Sequence, residues 1–305
     1  MTTRYPQAIL ISCEVPWDEQ ENLIEDVFRQ EVRHVLNAGF RHVYIFGTAG
    51  EGYAVDIARF RQIAVVFREE TNRDGVHAQV GVIALSVAQF RERLAIAYDL
   101  GFREFQISLP SWGPLNDKEL LKFFEDVCLP YPDAKFLHYN LPRAKRVLTG
   151  PEYRRIADAV PNLVATKNTG TTVHGTMDLL RHAPDLQHFF GEAMFPTGCL
   201  HGECSLLSSF GPLFPKRTHE LFEYGRTRQW DKLFPFQAEY LRVVEEVIAP
   251  LRRQSLIDGA YDKALVRLAG VPLPLRLLSP YESFSEEVFA ECQGILREKY
   301  AHWLG

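Results

Sequence analysis

What this chain has little of sets its first bounds. No apolar run approaches the length of a membrane span, and Met1-Thr2-Thr3-Arg4-Tyr5-Pro6 lacks the apolar core of a signal peptide. Basic excess is also missing: a formal net charge of -5 offers no footprint for nucleic acid or an anionic membrane. The five cysteines, Cys13, Cys128, Cys199, Cys204 and Cys292, are odd in number and lack the paired spacing of a zinc site or a disulfide framework. They are expected as reduced, mostly buried thiols of a cytoplasmic protein. His201, Glu203 and Cys204 carry metal-ligand atoms, but their spacing matches no closed site, so a strand with one inward carboxylate is expected and no metal.

What is present suits a large core. The 305 residues are 46% hydrophobic and 24% charged, the balance of a globular protein. Helix end, glycine and strand recur in one order at Ala38-Gly39-Phe40-Arg41 and again at Leu100-Gly101-Phe102-Arg103. Strand patterns fall near 8–12, 42–46, 76–82, 104–109, 135–139, 163–167, 187–190 and 203–207. Helical patterns such as 23–37, 57–70, 87–100 and 119–128 lie between them. Eight alternations predict an α/β fold, a (β/α)8 TIM barrel, over residues 1–225. The helical patterns at 226–248, 256–268 and 285–303 predict a C-terminal helical region over 226–305, packed on the barrel. A doubly wound open sheet is the alternative architecture.

Three segments carry chemistry. In Leu163-Val164-Ala165-Thr166-Lys167-Asn168-Thr169-Gly170 an apolar run ends on a lysine, followed at once by a turn signal. An amine partly removed from water there loses some preference for charge, and an uncharged lysine is a nucleophile for ketones. In Phe46-Gly47-Thr48-Ala49-Gly50-Glu51-Gly52 the glycines allow a tight strand-to-helix turn whose amides, with the Thr48 hydroxyl, suit a small carboxylate. In Lys135-Phe136-Leu137-His138-Tyr139-Asn140-Leu141-Pro142 a strand pattern ends on a tyrosine, whose phenol can move protons. Strand alternation turns His138 away from the barrel centre. Thr48, Tyr139 and Lys167 all fall at the carboxyl ends of strands, where a barrel of this kind keeps its active site.

In this order and spacing the segments resemble the dihydrodipicolinate synthase and N-acetylneuraminate lyase family of class I, Schiff-base aldolases. Gly47 to Glu51 matches the family's Gly-Thr-Thr-Gly-Glu loop with Ala49 in place of a threonine. Tyr139 to Pro142 matches its Tyr-Asn-x-Pro, and Lys167 its strand-end lysine. The likeness extends to Val80-Gly81-Val82, Gly191-Glu192-Ala193 and Pro274-Leu275-Arg276-Leu277. It implies that Lys167 forms an imine with pyruvate or a related 2-oxo acid, that Tyr139 and Thr48 are catalytic beside it, and that no cofactor takes part. It places the substrate carboxylate on Gly47, Thr48, Ala49 and Gly50, and it implies a homodimer or homotetramer.

Departures from the pattern narrow the substrate. Trp112 stands where the synthases set a tyrosine that crosses a subunit interface, and indole cannot relay a proton as phenol does. Ala144 replaces an arginine, with Arg143, Lys145 and Arg146 around it, so Arg143 is the cation expected on the substrate. Asn168 occupies a position where an acidic residue commonly follows the lysine. Trp112, Gly191 and Glu203 complete the expected substrate contacts. These changes argue against a lysine-biosynthetic synthase and for a lyase or dehydratase acting on a 2-oxo-3-deoxy sugar acid or another pyruvate aldol. The changes at Ala49, Trp112 and Ala144 favour one alternative, a barrel that only binds a small 2-oxo acid as a sensor or regulator.

Overall fold

Strands covered on both faces are buried along their length, and the eight short strands of this protein are buried or half-buried at every position. The computed structural model describes residues 4–304. The strands are β1 Ile9–Ser12, β2 His42–Ile45, β3 His77–Gly81, β4 Glu104–Ile107, β5 Lys135–Asn140, β6 Leu163–Asn168, β7 Gln187–Gly191 and β8 Ser205–Ser208. All neighbours pair in parallel, and β8 pairs with β1, so the sheet closes in chain order. The intervening helices are α1 Glu25–Asn37, α2 Ile57–Thr71, α3 Val87–Asp99, α4 Asp117–Cys128, α5 Gly150–Ala159, α6 Val173–His182 and α7 Phe195–His201. α8, Pro215–Arg226, follows β8, and α9 Trp230–Val247, α10 Asp258–Leu268 and α11 Glu286–Lys299 end the chain. The architecture is a (β/α)8 TIM barrel carrying additional C-terminal helices.

Side-chain direction sorts the core into shells. Leu10, Tyr44, Leu137, Ala165, Phe189 and Leu207 point into the barrel and pack on one another, with Tyr5 closing the amino end. Tyr5 donates to Glu104 at 2.7 Å and sits 2.8 Å from His42 Nδ1, so the plug's hydroxyl is paired. Residues of opposite parity, such as Ile11, Val43, Ile45, Phe105 and Phe136, meet the helices. His138 follows this rule: it lies outside the barrel with Nδ1 2.6 Å from the Tyr153 hydroxyl of α5. The recurring helix-end glycines reverse the chain in the left-handed region, with φ 92° at Gly39 and 91° at Gly101.

A second apolar cluster holds the C-terminal helices. Tyr240, Val243 and Val247 of α9 pack with Leu265 of α10, Phe289 of α11, Phe214 and Trp303. One buried ion pair fastens this region to the loop after β2. Glu51 Oε1 lies 2.6 Å from Lys263 Nζ of α10, and neither side chain reaches solvent. The same carboxylate accepts from Trp17 Nε1 at 2.8 Å and from the Leu278 amide at 2.7 Å. Every charged oxygen is thus met by a donor, the condition under which a buried pair survives.

The last strand differs from expectation. β8 begins at Ser205, and the polar residues of 199–204 belong instead to α7 and the turn after it. Ser205 is the inward residue at the strand's start, where its hydroxyl accepts from the Ala8 amide at 2.9 Å and from Gln187 at 2.6 Å. Glu203 therefore falls outside the barrel at its amino end, half-exposed and 3.1 Å from Arg4. Among the described residues no cluster of three histidine, cysteine or acidic side chains has the geometry of a metal site, and no helix is long and apolar enough to cross a membrane.

The clasp predicts a stability cost. Lys263→Met should lower the unfolding free energy by about 3–5 kcal/mol, because Glu51 would remain buried without its counter-charge. Denaturant unfolding that matches wild type would overturn this role.

Candidate active site

Lys167 is the penultimate residue of β6, in register with Tyr139 on one neighbouring strand and Phe189 on the other. The register explains why sequence-distant groups meet: the amine lies 3.9 Å from the Tyr139 ring centre and 4.2 Å from that of Tyr44. Its Nζ donates to the Tyr44 hydroxyl at 2.7 Å. The side chain is only 3% exposed. Loss of hydration pulls its pKa down from 10.5 to about 7, although Asp262, Glu14 and Asp258 pull the other way. Burial outweighs the facing aromatic rings and the carboxylates together, so a large share of the amine is free base at neutral pH.

The loop after β2 forms the wall beside this amine. A β-carbon on Gly47 would stand 2.7 Å from the Tyr44 ring and 3.5 Å from Lys167 Nζ, so only a bare Cα fits between them. Phe46 and Glu51 bracket the turn with left-handed backbones, φ 59° and 55°. Such strain at non-glycine residues is tolerated where surrounding contacts over-determine it, and the Glu51 clasp supplies those contacts. Among the described residues no acceptor engages the Thr48 and Ala49 amides. The Thr48 and Thr169 hydroxyls lie beside the buried Tyr139 phenol; burial raises its pKa and the two hydroxyls partly offset this.

Thr48 also opens onto a cavity of about 590 Å³ at the carboxyl end of the barrel. Its walls mix apolar groups, Ile83, Leu109, Leu141 and Ile257, with Ser108, Ser111, Ser255 and Arg143. Arg143 does reach this space. Its guanidinium is already held by Asp258 at the start of α10 through two bonds of 2.7 and 3.0 Å. Arg146 is tied to Leu115, Asp117 and Glu152, which braces the loop after β5.

The structure does not bring every expected contact together. Lys167, Tyr139, Gly47 and Thr48 come together, while Ala49 and Gly50 continue the same turn with Ala49 against Gly259 and Gly50 against Phe46 and the Cys13 carbonyl, and Arg143 lines the cavity. Trp112 is 90% exposed, while its neighbour Ser111 faces the cavity. An indole on a loop tip finds no wall to pack against within one chain. Gly191 ends β7 beside Glu192, whose carboxylate accepts from Ser208 and Ser209 around a separate cavity shared with Asp258 and Asp262. Glu203 lies at the opposite end of the barrel, for the reason given with β8.

Sequence reading missed Tyr44, the one side-chain hydrogen-bond partner of the Lys167 amine among the described residues. Its signal was period-two alternation, since His42 and Tyr44 share the inward face of β2. The acids Glu14 and Asp262 were missed as well. Asp262 left no trace, because only folding brings α10 over the barrel.

A lowered amine pKa has a direct readout. The rate at which pyruvate and a mild reductant capture Lys167 should rise with pH around a midpoint near 7, because only the neutral amine attacks. A midpoint near the ordinary 10.5 would overturn the burial argument.

Comparison with known proteins gives the chain's family. Residues 6–299 match the Dihydrodipicolinate synthetase family. The chain is 23% identical to the N-acetylneuraminate lyase of Salmonella agona strain SL483 over 296 residues, covering 96% of this chain and 98% of that one. Among solved structures, the prophage protein YagE of E. coli K12, in complex with pyruvate, superposes with a TM-score of 0.84 at 17% identity, covering 95% of this chain and 97% of that one. Proteus mirabilis N-acetylneuraminate lyase gives 0.83 at 16% identity, covering 96% and 98%. The chain therefore belongs to the dihydrodipicolinate synthetase family, whose members are lyases of the class I, Schiff-base aldolase type.

Proposed function

We propose that the protein makes or breaks carbon–carbon or carbon–oxygen bonds in pyruvate-type 2-oxo acids, including 2-oxo-3-deoxy sugar acids, through an imine on Lys167. The observation that carries this reading is a lysine amine buried between two tyrosine rings at the strand ends, with its pKa lowered to about 7. The neutral amine attacks the keto carbon, the carbinolamine loses water, and the resulting iminium draws electrons from the adjacent bond. Bond cleavage leaves an enamine, which takes a proton and is hydrolysed to free the lysine. Tyr139 moves protons to and from the reacting oxygens, with Thr48 next to it. The unengaged Thr48 and Ala49 amides hold the substrate carboxylate.

The distal part of the substrate occupies the cavity above Thr48. There Arg143 meets an acidic or hydroxylated end by exchanging part of its bond to Asp258. Ala49, Ala144 and Trp112 support a role other than lysine biosynthesis. The exposed Trp112 supports a homodimer or homotetramer, because a large aromatic on a loop tip is a favoured anchor for a second subunit. The five cysteines are free and buried, which fits the cytoplasm.

Borohydride reduction with pyruvate should add a pyruvate-derived mass to the peptide carrying Lys167, and Lys167→Ala should abolish it. Labelling at another lysine would overturn the assignment. Tyr139→Phe keeps the ring, removes the hydroxyl and should slow turnover by roughly 10² or more. Turnover is to be read on a panel of pyruvate aldols and deoxy sugar acids. If pyruvate is trapped but no compound turns over, the protein is a binder of 2-oxo acids.

Arg143→Gln should raise KM for the long substrate while leaving imine formation with pyruvate unchanged. The partly exposed contact is worth about 1 kcal/mol or less. An unchanged KM at low salt would move distal recognition to the serines of the wall.

A further inference from the structure

Across the barrel from Tyr139, a second line of groups leads away from the lysine. Lys167 donates to Tyr44, and Tyr44 is the direct register partner of Ser12 on β1. Ser12 and Glu14 lie two residues apart on an extended segment, so their side chains share a face. The Ser12 hydroxyl adjoins both the Tyr44 phenol and the Glu14 carboxyl. Among the described residues, however, neither Ser12 Oγ nor Glu14 Oε2 has a partner at bonding distance. All four side chains are buried. Rotation of the Ser12 side chain that closes these gaps would join the Tyr44 phenol to an uncommitted carboxyl oxygen, and a line joined in that way can pass a proton in either direction.

Asp262 completes the far end. It comes from α10, bears on Glu14 and Lys167, and is steadied by the Ser209 hydroxyl. Glu51, Lys263, Asp258, Glu192 and Glu31 also face this group from the surrounding elements. Burial, with Asp262 facing Glu14 and with Asp258 and Glu192 facing Asp262, holds both carboxyls well above the usual carboxylate range, so the pair keeps a proton at neutral pH.

We propose that Lys167, Tyr44, Ser12 and Glu14 form a second proton path, ending on the buried Glu14–Asp262 acid pair and serving imine formation on Lys167. In one direction a proton leaves the Lys167 ammonium for Tyr44, the Tyr44 proton moves to Ser12 and the Ser12 proton to a Glu14 carboxylate, which leaves a neutral amine. In the other direction the acid returns that proton through the same hydroxyls to the carbinolamine. The carbon–oxygen bond then breaks, water leaves, and the nitrogen lone pair forms the iminium. No proton is lost or gained over the two steps. The path rests on the lyase reading of Lys167 and is separate from the Tyr139 and Thr48 hydroxyls.

The test is the rate of imine trapping with pyruvate, measured against pH in the intact protein. Tyr44→Phe, Ser12→Ala and Glu14→Gln preserve shape closely, and each should slow trapping by roughly 10-fold to 10²-fold. Each should also shift or flatten the rise of rate with pH. Members of one path fail together, so the Tyr44→Phe, Glu14→Gln double variant should be no slower than the slower single variant. Wild-type rates and pH dependence in the single variants would overturn the path, and so would effects that multiply in the double variant. Ser12→Ala removes only a hydroxyl and keeps the test open if another variant fails to fold. Absence of any label on Lys167 in the wild-type protein would instead defeat the lyase reading itself.

Discussion

Desolvation of one amine is the constraint on which the rest of the site depends. Removing a lysine from water favours its neutral form, and in this barrel the removal is nearly complete: rings of Tyr44 and Tyr139 cover Lys167 and the Gly47 backbone crosses its end. Full burial without compensation would be costly, and the surrounding acids limit it. Asp262, Glu14 and Asp258 draw the pKa back up, leaving it near neutrality, where an amine can both lose and regain a proton. The balance requires a rigid neighbourhood, because a loop that opened to water would return the amine to its ordinary charge.

Rigidity comes from the far end of the chain. Glu51 follows directly on the Gly47–Gly50 turn, and its carboxylate is held by Lys263, Trp17 and the Leu278 amide. The C-terminal helices are thereby part of the site: α10 supplies the clasp through Lys263, a carboxyl near the amine through Asp262, and the partner of Arg143 through Asp258. These three residues lie within six positions on one helix, so a single element sets loop geometry, local charge and the cavity mouth together.

Much of this was legible before folding was considered. Lys167, Tyr139 and Thr48 announced themselves because a polar or charged residue at the end of an apolar run is visible in one dimension, and β5 and β6 neighbour each other in space as in sequence. The β8 region was misread, because the strand is four residues long and an apolar cysteine and leucine just before it belong to a helix. That slip carried Glu203 from an imagined inward position to an ion pair with Arg4 at the amino end. Trp112 lay beyond one-dimensional reading for a different reason: its loop projects from the chain, and pattern alone does not say where a loop tip points.

By itself, then, the sequence determined the period of the barrel, the apolar strands that bury both faces, the glycines that turn the chain, and the amine, phenol and hydroxyl at strand ends. All of these follow from local rules of burial and backbone conformation, which act over a few residues. The tertiary structure alone decided which acids face the amine, that Tyr44 touches it, and that Arg143 is already paired. Those outcomes depend on strand register and on where α10 comes to rest, and both are set by closing the barrel across separations of up to 248 residues, as between Glu14 and Asp262.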